Sequence, residues 1–118
     1  MYRIWERNNK WYWNLRCEGN HRVLLTCPKG HPVYRSAFEE LRQVWKWAKG
    51  KYKPMNSLRY CEVMRQPSGE TRHYFILRNR DGLTLCKSRN YKHRDSMIRG
   101  ANVAARYGKC NDTLVVSP

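Results

Sequence analysis

"YFILRNRDGLTLCKSRNY", residues 74–91, decides how this chain is read. Apolar and polar residues alternate on both sides of Asp81-Gly82, the pattern of a β-hairpin whose two strands share one buried face. An earlier stretch, "YWNLRCEGNHRVLLT" at 12–26, has the same plan. Both carry Tyr-x-x-Leu-Arg (Tyr12 to Arg16, Tyr74 to Arg78), a polar turn and a short aliphatic strand. Beyond each, a tyrosine (Tyr34, Tyr91) opens a helical pattern, "YRSAFEELRQVWKWA" at 34–48 and "YKHRDSMIRGANVAA" at 91–105. With a strand expected before each hairpin, at Tyr2 to Arg7 and Arg59 to Arg65, the chain reads as β-β-β-α twice. That is too few copies for a solenoid.

Turn chemistry sets the expected register. Three-residue loops, Glu18-Gly19-Asn20 and Arg80-Asp81-Gly82 with Asn20 and Gly82 left-handed, place residue 15 opposite 23 and residue 77 opposite 85. One face then gathers Trp11, Trp13, Leu15, Val23 and Leu25 in the first hairpin and Phe75, Leu77, Leu83 and Leu85 in the second. A two-residue loop would divide these sets between the two faces, which a half-buried sheet tolerates poorly. In the first helix Phe38, Leu41, Val44, Trp45 and Ala48 form the apolar stripe, and Ser36 to Glu39 has capping-box spacing. In the second the stripe is Met97, Ile98, Ala101, Ala104 and Ala105, interrupted by Gly100. Trp47 and Val103 fall off these stripes and pack between the repeats or mark a protein-binding patch.

The resulting expectation is an α+β fold of two tandem β-β-β-α repeats, with antiparallel sheets each packed by one amphipathic helix about a pseudo-twofold axis. The first repeat covers 1–50, a basic linker 51–57, the second repeat 58–108 and a tail 109–118, which frays or adds an edge strand. This plan resembles the YegP-like family, tandem domains of unknown function from bacteria. The resemblance rests on Tyr74 to Arg78, Asp81-Gly82, Leu83 to Leu85, Ser88-Arg89-Asn90-Tyr91 and Ile98. The first copy departs from it through the insertion "CPKGHPV" between Thr26 and Tyr34 and a Gly-Asn turn. The resemblance implies this fold and carries no activity, cofactor or catalytic residue with it.

Composition bounds the function. The 118 residues suffice for one domain, and 41% hydrophobic content with five Trp and eight Tyr separates the chain from disordered basic tails. Its net charge of +15, from 24 Lys and Arg against nine Asp and Glu, calls for a polyanionic or acidic partner. The excess is +6 over residues 1–49 (ten basic, four acidic) and +9 over 50–118 (fourteen basic, five acidic), so neither half is a basic appendage. This is also where the chain departs most from its family resemblance, towards a specialised role such as one in a phage or mobile element. No apolar run long enough for a membrane span or a secretion signal is present, which gives a cytoplasmic expectation. Five irregularly spaced cysteines read as reduced thiols.

Cys17-x3-His21 and Cys27-x3-His31 have the residue types of a zinc site. The hairpin register sets Cys27 opposite Trp11, roughly 20 Å from the turn at ~3.3 Å per residue, so the four ligands do not meet and no metal is expected. No cofactor is expected either. A small basic ribonuclease would need two histidines and a cation; of His21, His31, His73 and His93, only His93 has an electropositive setting. With no nucleophile motif or phosphate loop, the expectation is a protein that is not an enzyme.

Nucleic-acid binding accounts for more of the residues. The register that buries the indoles turns Tyr12, Asn14, Arg16 and Arg22 outwards, with Tyr74, Ile76, Arg78 and Thr84 in the second copy. Tyrosines beside cations are what single-strand binders use, stacking bases and neutralising phosphates; the same residues also suit an ordinary solvated sheet face. Lys87, Arg89, Lys92, His93 and Arg94 form a second cluster, unfavourable to a helix start unless an anion visits it. Lys49, Lys51 and Lys53 form a third. The partner is thus DNA or RNA, bound through its backbone with little sequence selectivity. The rival is an inhibitor or adaptor docking on an acidic surface of a host defence protein, and homodimerisation stays open.

Overall fold

A computed structural model describes residues 1–50, 69–79 and 81–110 in full, and strands 58–65 and 113–116 through their backbone. The elements are β1 (Tyr2–Arg7), β2 (Lys10–Arg16), β3 (Val23–Thr26), α1 (Tyr34–Ala48), β4 (Leu58–Arg65), β5 (Glu70–Arg78), β6 (Thr84–Ser88), α2 (Arg94–Tyr107) and β7 (Thr113–Val116). The β-β-β-α order occurs twice and a short strand follows. The expected linker, 51–57, lies outside the described residues.

The strands form one sheet rather than the two that were expected. Its order is β4-β5-β6-β3-β2-β1-β7, and β3 joins β6 antiparallel, Leu25 opposite Ser88 and Thr26 opposite Lys87. The cause is the pair of short strands at the inner edges of the hairpins. Left apart, each would expose a row of unpaired amides and carbonyls. The tail supplies the outer edge: β7 runs parallel to β1, with Tyr2 opposite Thr113 and Ile4 opposite Val115. The sheet is therefore not wholly antiparallel.

The hairpin register differs from the expected one. Leu15 faces Leu25 and Arg16 faces Val23, while Leu77 faces Cys86 and Arg78 faces Thr84. Each returning strand carries one extra residue, a bulge that re-aims its side chain. Neighbouring Leu24 and Leu25 are consequently both buried, as are Leu85 and Cys86. The first loop is longer than three residues, closed by the Cys17 amide donating to the Arg22 carbonyl at 2.9 Å. There His21 (φ 56°), not Asn20, takes the left-handed position, whereas Gly82 (φ 81°) takes it as expected. Leu83 falls beyond the strand and stands 65% exposed instead of in the core. Val23 is only half-buried. Between β1 and β2, Asn8 and Asn9 both have positive φ, the two-residue type I′ turn favoured by the twist of a hairpin.

One core serves both halves. Ile4, Trp13, Leu15, Leu25, Phe75, Leu77 and Cys86 from the sheet meet Ala37, Leu41, Val44 and Trp47 of α1 and Met97, Ala101 and Ala104 of α2, all under 7% exposed. Trp47 is therefore a core residue, while Val103 is 36% exposed. The capping box does not form. Val33 is the N-cap without a side-chain bond, Ser36 Oγ donates to the Val33 carbonyl at 3.0 Å, and Glu39 pairs loosely with Arg35 at 3.9 Å. Buried Tyr2 donates its hydroxyl to the Gly108 carbonyl at 3.0 Å, tying β1 to the end of α2. No helix among the described residues is long and apolar enough to cross a membrane.

Candidate functional site

The β3–β6 pairing carries the first hairpin loop, with Arg22, to the place where β6 ends and α2 begins. There Arg22, Arg72, Arg89, Lys92 and His93 line an open cleft of about 610 Å³ together with Tyr91 and Ser96. No carboxylate lines it among the described residues. Arg72 does bond Glu70 at 2.7 Å, a half-exposed carboxylate outside the lining. Four residues expected from sequence (Arg22, Arg89, Lys92, His93) thus converge, and Arg72 joins them from the start of β5.

A smaller pocket of about 200 Å³ shares Arg22, Arg89, Tyr91 and Ser96 with the cleft and is otherwise walled by Leu24, Gly100 and Val103, with Cys17 and Arg99 at its side. Helical spacing explains this wall. Ser96, Arg99, Gly100 and Val103 stand at i, i+3, i+4 and i+7, one stripe of α2. Tyr91 lines both spaces and is half-buried against Gly100, where an added Cβ would meet its hydroxyl. The Arg89 guanidinium lies 5.5 Å from the Tyr91 ring centre. Burial pushes the Tyr91 hydroxyl pKa up, and the charges of Arg89 and Arg22 act in the opposite sense. His93 is the N-cap of α2 in extended backbone (φ −124°, ψ 145°) with no side-chain cap bond, so the first amides of the helix point to the cationic end.

The other expected residues lie elsewhere. Tyr12, Arg16, Tyr74, Arg78 and Lys87 belong to the sheet face opposite the helices, but β3 and β6 stand between β2 and β5, which puts about 14 Å of sheet width between Tyr12 and Tyr74, and the two lie on opposite sides of the Asn14–Thr26–Lys87–Ile76 row. Neither ring is bare: Tyr12 stacks on Trp5 at 6.0 Å, and Lys87 Nζ lies 4.4 Å above the Tyr74 ring. Arg16 is half-buried rather than turned fully outwards, and its Nε is buried without a hydrogen-bond partner among the described residues. Arg78 and Lys87 are exposed. Arg94 begins α2 outside the cleft lining, and Lys49 caps α1 with its Nζ 4.3 Å over Trp45. Lys51 and Lys53 lie outside the described residues.

The cysteine and histidine residues of the zinc-like spacing have other partners. Cys27 lies opposite Trp13, not Trp11, and its Sγ accepts from the Trp13 amide at 3.4 Å. His31 bridges the Trp11 backbone, with both bonds at 2.7 Å. Its Nε2 lies 2.9 Å from Glu40 Oε1, which also accepts from Trp13 Nε1 at 2.8 Å. Among the described residues no group of three or more His, Cys, Asp or Glu is placed to hold a metal. Tyr91, matched to Tyr34 on sequence, takes the place of His31 instead: it bridges His73 as His31 bridges Trp11.

No protein-family model and no curated protein sequence matches the chain. The fold is YegP-like: it is similar to the solution structure of a UPF0339 protein from Shewanella oneidensis (TM-score 0.77, 16% identity, 98% of this chain and 90% of that one). It is equally similar to that of yegP from E. coli, described as a protein of unknown function (TM-score 0.76, 16% identity, 98% and 91%).

Proposed function

We propose that this protein binds nucleic acid without catalysing a reaction on it, reading the backbone rather than the sequence. The observation that carries this reading is the cleft in which Arg22, Arg72, Arg89, Lys92 and His93 share one cavity with no lining carboxylate among the described residues. Cations so placed repel one another, and an anion is the natural occupant. Arg99 extends the charge along α2, while Lys87 and Arg78 supply a sparser track on the open sheet face. A concave site suits a flexible polyanion better than the flat acidic surface that an inhibitor or adaptor would cover. Catalysis of the ribonuclease type gains no second histidine here, since among the described residues His93 alone of the histidines lines the cleft.

We further read the two halves as copies of one unit. Matched devices support this. The Trp13 amide donates to Cys27 Sγ as the Phe75 amide donates to Ser88 Oγ, and each hairpin carries its bulge at the same point. On this reading the copies have diverged, because only the second carries the cationic cluster ahead of its helix.

Fluorescence polarisation of a labelled single strand, titrated between about 50 and 200 mM salt, tests the proposal. Neutralising about five phosphates gives a slope of log K against log salt near −3.5 on single strands and near −4.5 on duplex. No binding of DNA or RNA at low salt removes it. If the protein instead retains a partner from nuclease-treated lysate, the acidic-protein reading takes its place.

A further inference from the structure

We propose that the cleft receives the terminal phosphomonoester of a nucleic-acid strand, with the adjoining small pocket holding the end nucleotide. This rests on the nucleic-acid reading above and narrows it to a strand end. The first argument is charge density. A backbone diester carries a single charge, whereas a terminal phosphomonoester carries about −1.5 to −2 near neutral pH. Cations that follow an internal backbone are spaced along a track; here Arg22, Arg89 and Lys92 line one cavity, with Arg72 beside them shared with Glu70. That concentration matches a dianion. Arginine suits the task, since its planar fork offers paired N–H donors to two phosphate oxygens.

The second argument is shape. The Arg22 loop stands on one side and the start of α2 on the other; the space of about 610 Å³ is of small-ligand size, and the one of about 200 Å³ extends it. The character changes along them. In the smaller space Leu24, Gly100 and Val103 add an apolar wall beside Arg22, Arg89 and Arg99, a surface for a base or sugar next to the cations. A ligand charged at one end and weakly polar at the other fits this pair of spaces, and a phosphorylated terminal nucleotide is such a ligand. The uncapped amides at the start of α2 add donors on the charged side.

The test uses one short single strand, labelled internally and prepared with a 5′-phosphate, a 3′-phosphate or hydroxyl groups at both ends. One phosphorylated form is expected to bind at least about tenfold more tightly than the hydroxyl form, the size of one or two charge-assisted contacts. Arg89→Gln should abolish most of that preference, and Arg42→Gln, on α1 and outside the cleft lining, should leave it. Both positions are exposed, so folding is not at stake. Equal affinity for all three strands overturns the end-recognition inference while leaving the nucleic-acid reading intact. Absence of binding to any strand overturns both. Competition by adenosine monophosphate with no end preference among the strands also overturns it, making the cleft a free-nucleotide site.

Discussion

Glu40 of α1 lies 2.9 Å from His31 Nε2, and the same carboxylate oxygen accepts the Trp13 indole N–H at 2.8 Å. Trp13 is fully buried, so removing this acceptor leaves its N–H without its protein partner. Glu40→Ala should therefore cost about 1 to 3 kcal/mol in urea denaturation. Glu40→Gln keeps an amide oxygen for the indole and should cost clearly less. Equal losses for the two variants would show that the indole is not held by this contact.

The second half solves the same packing problem differently. Where the first half sets His31 against Glu40, the second lays Tyr91 against Gly100. On an exposed helix face Gly→Ala is worth up to about 1 kcal/mol in favour of alanine. Here the new methyl would overlap the Tyr91 hydroxyl. Gly100→Ala should thus destabilise, by roughly 1 to 3 kcal/mol for overpacking. Tyr91→Leu in the same chain should recover part of that loss, a coupling of at least about 0.5 kcal/mol. Additive effects in the four-member cycle would contradict the contact.

The hairpins, both helices and most of the core were legible because they rest on local periodicity: Trp13, Leu15, Phe75 and Leu77 alternate, and Leu41, Val44 and Ala48 recur at helical spacing. Register was not. Leu24 and Leu85 are extra residues in their strands, and an aliphatic run such as Val23-Leu24-Leu25 hides which member is the extra one. The union of the two hairpins was also hidden, since the pairing of Leu25 with Ser88 spans 63 positions (88 − 25) and no local pattern encodes it. The cleft was half legible: Arg89, Lys92 and His93 cluster in sequence, while Arg22 comes from the other hairpin. Arg99 could have been found from its helical spacing with Ser96, Gly100 and Val103. Arg72 had no such signal.

Tyr2 should mark the alkaline limit of the fold. Burial raises its pKa far above the ordinary tyrosine value, and the negative charge of Cys110 and Cys86, once ionised, pushes it the same way. A raised pKa means that the neutral hydroxyl is the native form. Its stabilisation is complete below the unfolded value near 10 and is lost as pH climbs beyond it. Above that point, stability should fall more steeply in the wild type than in Tyr2→Phe, the difference approaching about 1.4 kcal/mol per pH unit. Lysine deprotonation acts alike on both proteins and cancels. Near neutral pH, Tyr2→Phe should be less stable by about 1 kcal/mol for the lost bond to Gly108. Parallel curves in guanidinium melts would exclude Tyr2 as the cause.

Cys17, beside the smaller pocket, differs chemically from the buried thiols. A hydrogen bond from the Tyr107 hydroxyl lowers its pKa, helped by the Gly19 amide, whereas burial raises those of Cys27 and Cys86. Because the thiolate is the nucleophile, iodoacetamide near neutral pH should alkylate Cys17 well before Cys27 or Cys86. Tyr107→Phe removes the donor and should slow the reaction at Cys17 alone, with the difference shrinking as pH rises and the thiol ionises unaided. Peptide mass mapping over a time course reads all three sites at once. An unchanged Cys17 rate in Tyr107→Phe would assign the lowered pKa to the loop amides, and faster labelling of Cys86 would contradict its burial.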